Sequence, residues 1–146
     1  MNLETLPITI EYSGCVPSPW EGANLKVDMW KITLTKGRDS WSTPYYTGLG
    51  LRSPRTGPSL GVVDREHLES SRQPVKPTNA RVLNHLILDA SAADENFDDW
   101  CSSYGYSNAS IKMLNTYKKC LGIASALQRF FTREELEEIK ALTEDM

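Results

Sequence analysis

Asp94-Glu95-Asn96-Phe97-Asp98-Asp99-Trp100-Cys101-Ser102-Ser103-Tyr104-Gly105-Tyr106-Ser107 opens a stretch whose apolar residues recur at helical spacing as far as Phe130-Phe131. Phe97, Trp100, Cys101 and Tyr104 fall three and four apart, which predicts a short amphipathic helix over 97–104, stopped by Gly105. Asp98 and Asp99 sit in its first turn, where negative charge suits the helix dipole. Ser107 reads as the N-cap of a long helix over 108–131. Its buried stripe is Ile111, Leu114, Tyr117, Cys120-Leu121, Ala124, Leu127 and Phe130-Phe131, with Lys112, Lys118, Lys119 and Arg129 mostly off it. Such a stripe is wide enough to cover a three-stranded sheet, and Gly122 and Ala124 would admit a close neighbour.

Toward the C-terminus, Thr132-Arg133-Glu134-Glu135 spells a capping box, with Thr132 at the N-cap and Glu135 at N3. Leu136, Ile139 and Ala141-Leu142 give the helix behind it a modest stripe, and Glu134, Glu135, Glu137, Glu138, Glu144 and Asp145 make it acidic. Toward the N-terminus, Pro77-Thr78 starts a helix over 77–92 whose stripe is Val82, Leu83, Leu86, Ile87 and Ala90. His85 lies beside that stripe and reads as a surface or boundary histidine, because no carboxylate or nucleophile partner can be named for it. Residues 48–76 are punctuated by glycines and prolines and carry Arg52, Arg55, Arg65 and Arg72. That composition predicts a basic loop with at most a short element around Val62-Val63 and Leu68. Gly48-Leu49-Gly50 matches neither glycine-rich phosphate motif, so nucleotide binding is not expected there.

The first third reads as strands. Leu6, Ile8, Ile10 and Tyr12 alternate with Thr9 and Glu11, which predicts a half-buried strand over 6–12. Pro7 suits an edge position. Residues 13–24 read as a loop, with Trp20 a lid over the core. Residues 25–47 read as a hairpin: Trp30, Ile32 and Leu34 alternate with lysine and threonine, Lys36-Gly37-Arg38-Asp39 turns, and Trp41, Thr43 and Tyr45 return. Pro44 confines the return strand to an edge. The prediction is an α+β domain spanning 1–146, with a sheet region (1–47), a basic loop (48–76) and a helical region (77–146). An antiparallel sheet of about three strands is covered by three to four C-terminal helices.

A chain of 146 residues can bury roughly two-thirds of its unfolded surface, so it needs no disulfide or metal to fold. Cys15, Cys101 and Cys120 contain no C-x-x-C pair, and His67 and His85 are distant in sequence; buried free thiols are expected, with no metal and no cofactor. No run of apolar residues is long enough to span a membrane, and the N-terminal residues lack the basic and apolar regions of a signal peptide, so a cytoplasmic protein is expected. The net charge of −3 hides strong segregation: residues 82–106 carry five acids and no base, 107–131 four bases and no acid, and 132–146 six acids and two bases. Cys101 near Asp98 and Asp99 is a poor nucleophile, since acids raise a thiol pKa. Adjacent helical carboxylates point about 100° apart, which suits paired acid–base chemistry poorly. No catalytic signature is visible, and an enzyme is not expected.

Several fragments together resemble a family of small proteins encoded in phages and prophages. They are Trp30-Lys31-Ile32-Thr33-Leu34, Tyr45-Tyr46-Thr47-Gly48, Pro77-Thr78, Val82 to Ala90, Phe97-Asp98-Asp99-Trp100-Cys101, Gly105-Tyr106 and Tyr117-Lys118-Lys119-Cys120. The first 28 residues and the loop at 51–76 depart from that pattern. The resemblance implies a bacterial host cell and a role by binding, including inhibition of host nucleases or defence complexes such as CRISPR effectors. The partner would then be a host protein or ribonucleoprotein, met through acidic surfaces at Asp94, Glu95, Asp98 and Asp99 and at Glu134, Glu137 and Glu138. The alternative is an accessory nucleic-acid-binding protein of phage replication or recombination. It would use Arg52, Arg55, Arg65 and Arg72, with Lys112, Lys118 and Lys119 and with Trp41, Tyr45 and Tyr46 for stacking. A pI near 5.4 counts against it.

Overall fold

The computed structural model describes residues 1–17, 26–47, 75–105 and 107–144. Three antiparallel strands in the order β1-β2-β3 precede four helices, an α+β fold. The strands are β1 (Ile8–Pro17), β2 (Lys26–Lys36) and β3 (Asp39–Thr47); the helices are α1 (Asn79–Ala90), α2 (Phe97–Tyr104), α3 (Ile111–Phe130) and α4 (Arg133–Thr143). Short 3-10 turns at Leu3–Thr5 and Ser91–Asp94 complete it. No helix among the described residues is long and apolar enough to cross a membrane. Trp20, the arginines at 52, 55, 65 and 72, the short element expected at Val62-Val63 and Leu68, Tyr106 and Asp145 lie outside the described residues.

The hairpin forms as its alternation predicts. Lys36 pairs with Asp39, so Gly37 and Arg38 make a two-residue turn, and Gly37 takes the φ of +62° that such a turn requires. Trp30 lies opposite Tyr45, and Ile32 opposite Thr43. The inner row of Trp30, Ile32 and Leu34 is buried. Trp30 Nε1 donates to Thr47 Oγ1 at 2.9 Å, which satisfies a buried donor and acceptor together. The outer face is wet: Thr33 and Ser42 hydroxyls meet across it at 2.9 Å.

β1 departs from its prediction. Its register with β2 slips between Tyr12 and Gly14, leaving Ser13 as the extra residue of a bulge, and Gly14 adopts φ +123°. Pairing then resumes as far as Pro17, where a loop from residue 13 was expected. Tyr12, expected in the core, is 46% exposed; its ring meets Trp30 edge-on and its hydroxyl donates to Asp28 Oδ1 at 3.1 Å. Cys15, expected buried, is exposed, whereas Cys101 and Cys120 are buried as expected.

Each helix starts at a side-chain cap. Thr78 accepts the Arg81 N–H for α1, and Glu4 reaches across to accept from the N–H groups of Asn79 and Ala80 at 3.1 and 3.2 Å. A carboxylate on the first turn complements the helix dipole and ties the N-terminal turn to the helical layer. Thr132 and Glu135 form the predicted capping box of α4. The long helix starts later than predicted. Ser107 closes a separate turn, accepting the Ala109 N–H on its hydroxyl and the Ser110 N–H on its carbonyl, and Ser110 is the N-cap. Ile111 therefore lies at the first helical position, 76% exposed, outside the stripe assigned to it. In α4, Leu142 is exposed and Thr143 takes the buried position, its hydroxyl donating to the Ile139 carbonyl.

α3 carries two apolar clusters on its length. Its C-terminal half packs Ile123, Ala126, Leu127 and Phe130 against the inner face of the sheet, α1 and Ile139 of α4. Ile123 and Ala126 extend the stripe beyond the residues the periodicity singled out. Its N-terminal half packs Tyr117 and Cys120 with Ala92, Trp100 and Cys101, flanked by Phe97, Met113 and Leu121.

Candidate functional site

The acidic end of the molecule is built on the smaller cluster. Phe97, Trp100 and Tyr117 pack ring against ring, with centroids 5.4 Å apart for both contacts of Tyr117. The Tyr117 hydroxyl donates to the Glu95 carbonyl, pinning the segment that enters α2. Asn96 caps that helix by accepting the Asp99 N–H at 2.9 Å, and Gly105 closes it at φ +73°. With Trp100 and Cys101 turned inward, Asp98 and Asp99 point to solvent, as does Asp94. Glu95 is half-buried and accepts from the Ser103 hydroxyl at 3.0 Å, and Asp98 accepts from Asn108 at 3.3 Å. None of these four acids forms an ion pair among the described residues. No three His, Cys, Asp or Glu side chains converge as a metal site requires, again among the described residues.

The second predicted acidic set, on α4, stands differently. Glu138 accepts from the Met1 ammonium at 3.1 Å, and Glu137 pairs with Arg133 at 3.5 Å one turn away. Glu134 is exposed without an ion pair among the described residues. The two sets lie at opposite ends of α3, since α2 packs on its N-terminal half and α4 follows its C-terminus. From Tyr117 to Phe130 the helix rises ~20 Å.

Asp89 was counted with the acidic run but does not belong to its surface: it is 2% exposed. Burial pushes its carboxyl well above the usual range. Its position was legible, because it continues the Val82–Leu86 side of α1 at helical spacing. The two buried thiols are likewise raised. Cys101 is raised by burial and then by Asp98, and Cys120 is pushed up to about 12 by burial and then by Asp89.

The aromatic and basic set comes together only in part. Tyr45 is 1% exposed, stacks on His85 and bonds its hydroxyl to His85 Nδ1, so it offers no ring to a base. Trp41, Tyr46 and Lys119 do share a groove of ≈ 330 Å³ between β3 and α3, with Ser42, Thr43, Pro44, Gly122 and Ile123. The sequence singled out Gly122 for close helix approach. The structure shows open space instead: a Cβ there would meet nothing within 4 Å. Comparison with protein-family models, with curated proteins and with solved structures finds no match to the chain.

Proposed function

We propose that the protein is a small phage-type binding protein that inhibits a host nucleic-acid-handling defence complex, such as a CRISPR effector, through Asp94, Glu95, Asp98 and Asp99. One observation carries this reading: those acids stand on a buried aromatic cluster without ion pairs among the described residues, whereas Glu137 and Glu138 of α4 are already paired. A channel that binds phosphates attracts carboxylates by the same charge, so an acidic helix end that fits such a channel excludes the nucleic acid. The action is steric and electrostatic, and it needs neither catalysis nor a cofactor.

The test adds purified protein to purified CRISPR effectors and follows their binding to target DNA by gel shift. The protein is expected to associate with an effector and displace DNA, with affinity falling as salt rises. No association with any host nuclease complex tested would overturn the reading. The alternative, direct nucleic-acid binding through the arginine loop, is read from the same gels without effector, where it requires a salt-dependent shift by the protein alone.

A further inference from the structure

The groove between β3 and α3 lies along the edge of a strand. Residues opposite each other in an antiparallel pair alternate between bonded and non-bonded positions. Pro44, which has no N–H, lies opposite Lys31 and occupies a non-bonded position without disturbing the ladder. Ser42 and Ser40, two and four residues back, share that parity and turn their backbone groups away from β2. The Ser40 carbonyl bears this out, because it accepts from Arg129 Nη2 of α3 at 3.3 Å. Arg129 also pairs with Asp39 at 3.0 Å, clamping α3 to the hairpin end. Beyond that clamp the groove opens, lined by four consecutive strand residues from Trp41 to Pro44. Side chains of both parities line it, so it wraps the edge itself. By that parity the Ser42 N–H and carbonyl and the Pro44 carbonyl face away from β2, and no turn or loop bond among the described residues takes them.

We infer that this groove takes an extended acidic segment of a partner protein, added to the sheet as a strand beside β3. The Ser42 N–H and carbonyl and the Pro44 carbonyl supply main-chain bonds. Trp41 and Ile123 receive an aliphatic side chain, and Lys119 on the opposite wall receives a carboxylate. The charge around it fits: α3 brings Lys118 and Lys119 with no acid between residues 107 and 131, and Lys31 is exposed on the outer face of the sheet. A nucleic-acid strand fits less well, because one lysine lines the groove and Tyr45 is turned inward. This surface is separate from the acidic end of α2 and does not depend on its proposed role.

The experiment follows backbone amide shifts of the full chain as a capped hexapeptide alternating valine and glutamate is added. Shifts confined to residues 41–47 and 119–123 are expected. The valine–lysine counterpart should leave those residues unmoved. Gly122→Phe fills the groove from a helical position where a Cβ meets nothing within 4 Å, and circular dichroism checks that it folds. It should weaken the peptide at least roughly tenfold, as should Lys119→Glu. N-methylation of alternate peptide residues in the bonding register should abolish binding, which side-chain contacts alone would not require. Unmoved shifts at 41–47 with the valine–glutamate peptide at millimolar concentration overturn the inference. So does full binding to Gly122→Phe, or movement of the same residues by a short oligothymidylate in place of the peptide.

Discussion

The two ends of α3 solve different problems. At its C-terminal end the helix joins three strands, α1 and α4 in the larger cluster, and the acids of α4 are partly neutralised by Arg133 and the Met1 ammonium. At its N-terminal end it supports one short helix through three aromatic rings, and the acids carried there stay exposed or accept only from neutral groups. Neutralised charge on a broad core serves stability. Uncompensated charge on a small, rigid platform costs some stability through self-repulsion, which fits a surface kept for another molecule.

Hollowing each cluster in turn separates their roles. Ile32→Ala in the larger cluster is expected to cost about 2–5 kcal/mol in urea unfolding, with all probes lost together. Trp100→Ala is expected to cost less globally while removing hydrogen-exchange protection from α2, because its cluster is separate from the one that holds the sheet. If Trp100→Ala unfolds the sheet as cooperatively as Ile32→Ala, the two clusters are one unit and the comparison fails.

Asp89 gives the stability a pH dependence. Its folded pKa is raised above the unfolded value, so its contribution is present below the ordinary carboxyl range and is lost as pH rises through the raised value. Asp89→Asn keeps the neutral shape. It should flatten the fall of Tm over that window and raise Tm at neutral pH, and a pH profile parallel to that of the parent would count against a buried, protonated carboxyl.

A smaller effect is expected from the cap of α4. Thr132→Ala should cost about 1 kcal/mol, read by thermal melting. Glu135 is held below the usual carboxyl range chiefly because it accepts the Thr132 N–H. Its contribution is therefore present above the ordinary glutamate pKa and is lost as pH falls.

Much of the fold was legible in local pattern. Period-two alternation around Gly37 marks the hairpin, and Gly105, Thr132 and Glu135 punctuate the helices, whereas the Asn96 cap of α2 went unread. What escaped depends on offsets or on distant partners. One extra residue at Ser13 shifts the register beyond Tyr12, and alternation alone carries no signal for it. Two serines compete to cap α3, and the turn closed by Ser107 leaves the cap to Ser110. Charge clusters are legible as charge, and the Arg133–Glu137 pair is legible in its spacing. The bond from Met1 to Glu138 spans 137 positions and is not. The groove beside β3 joins two elements distant in sequence, so only the assembled fold reveals it.

The most direct test reverses each acidic set separately. One variant carries lysine at 94, 95, 98 and 99, the other at 134, 137 and 138, and both are compared with the parent for Kd toward an effector that the parent binds. Circular dichroism checks the fold, since reversing Asp98 and Asp99 at a helix start costs about 1 kcal/mol. At least roughly tenfold weaker binding is expected for the first variant and less than about threefold for the second. Parental affinity in the first variant, or an equal loss in both, would contradict the proposed role of the first set.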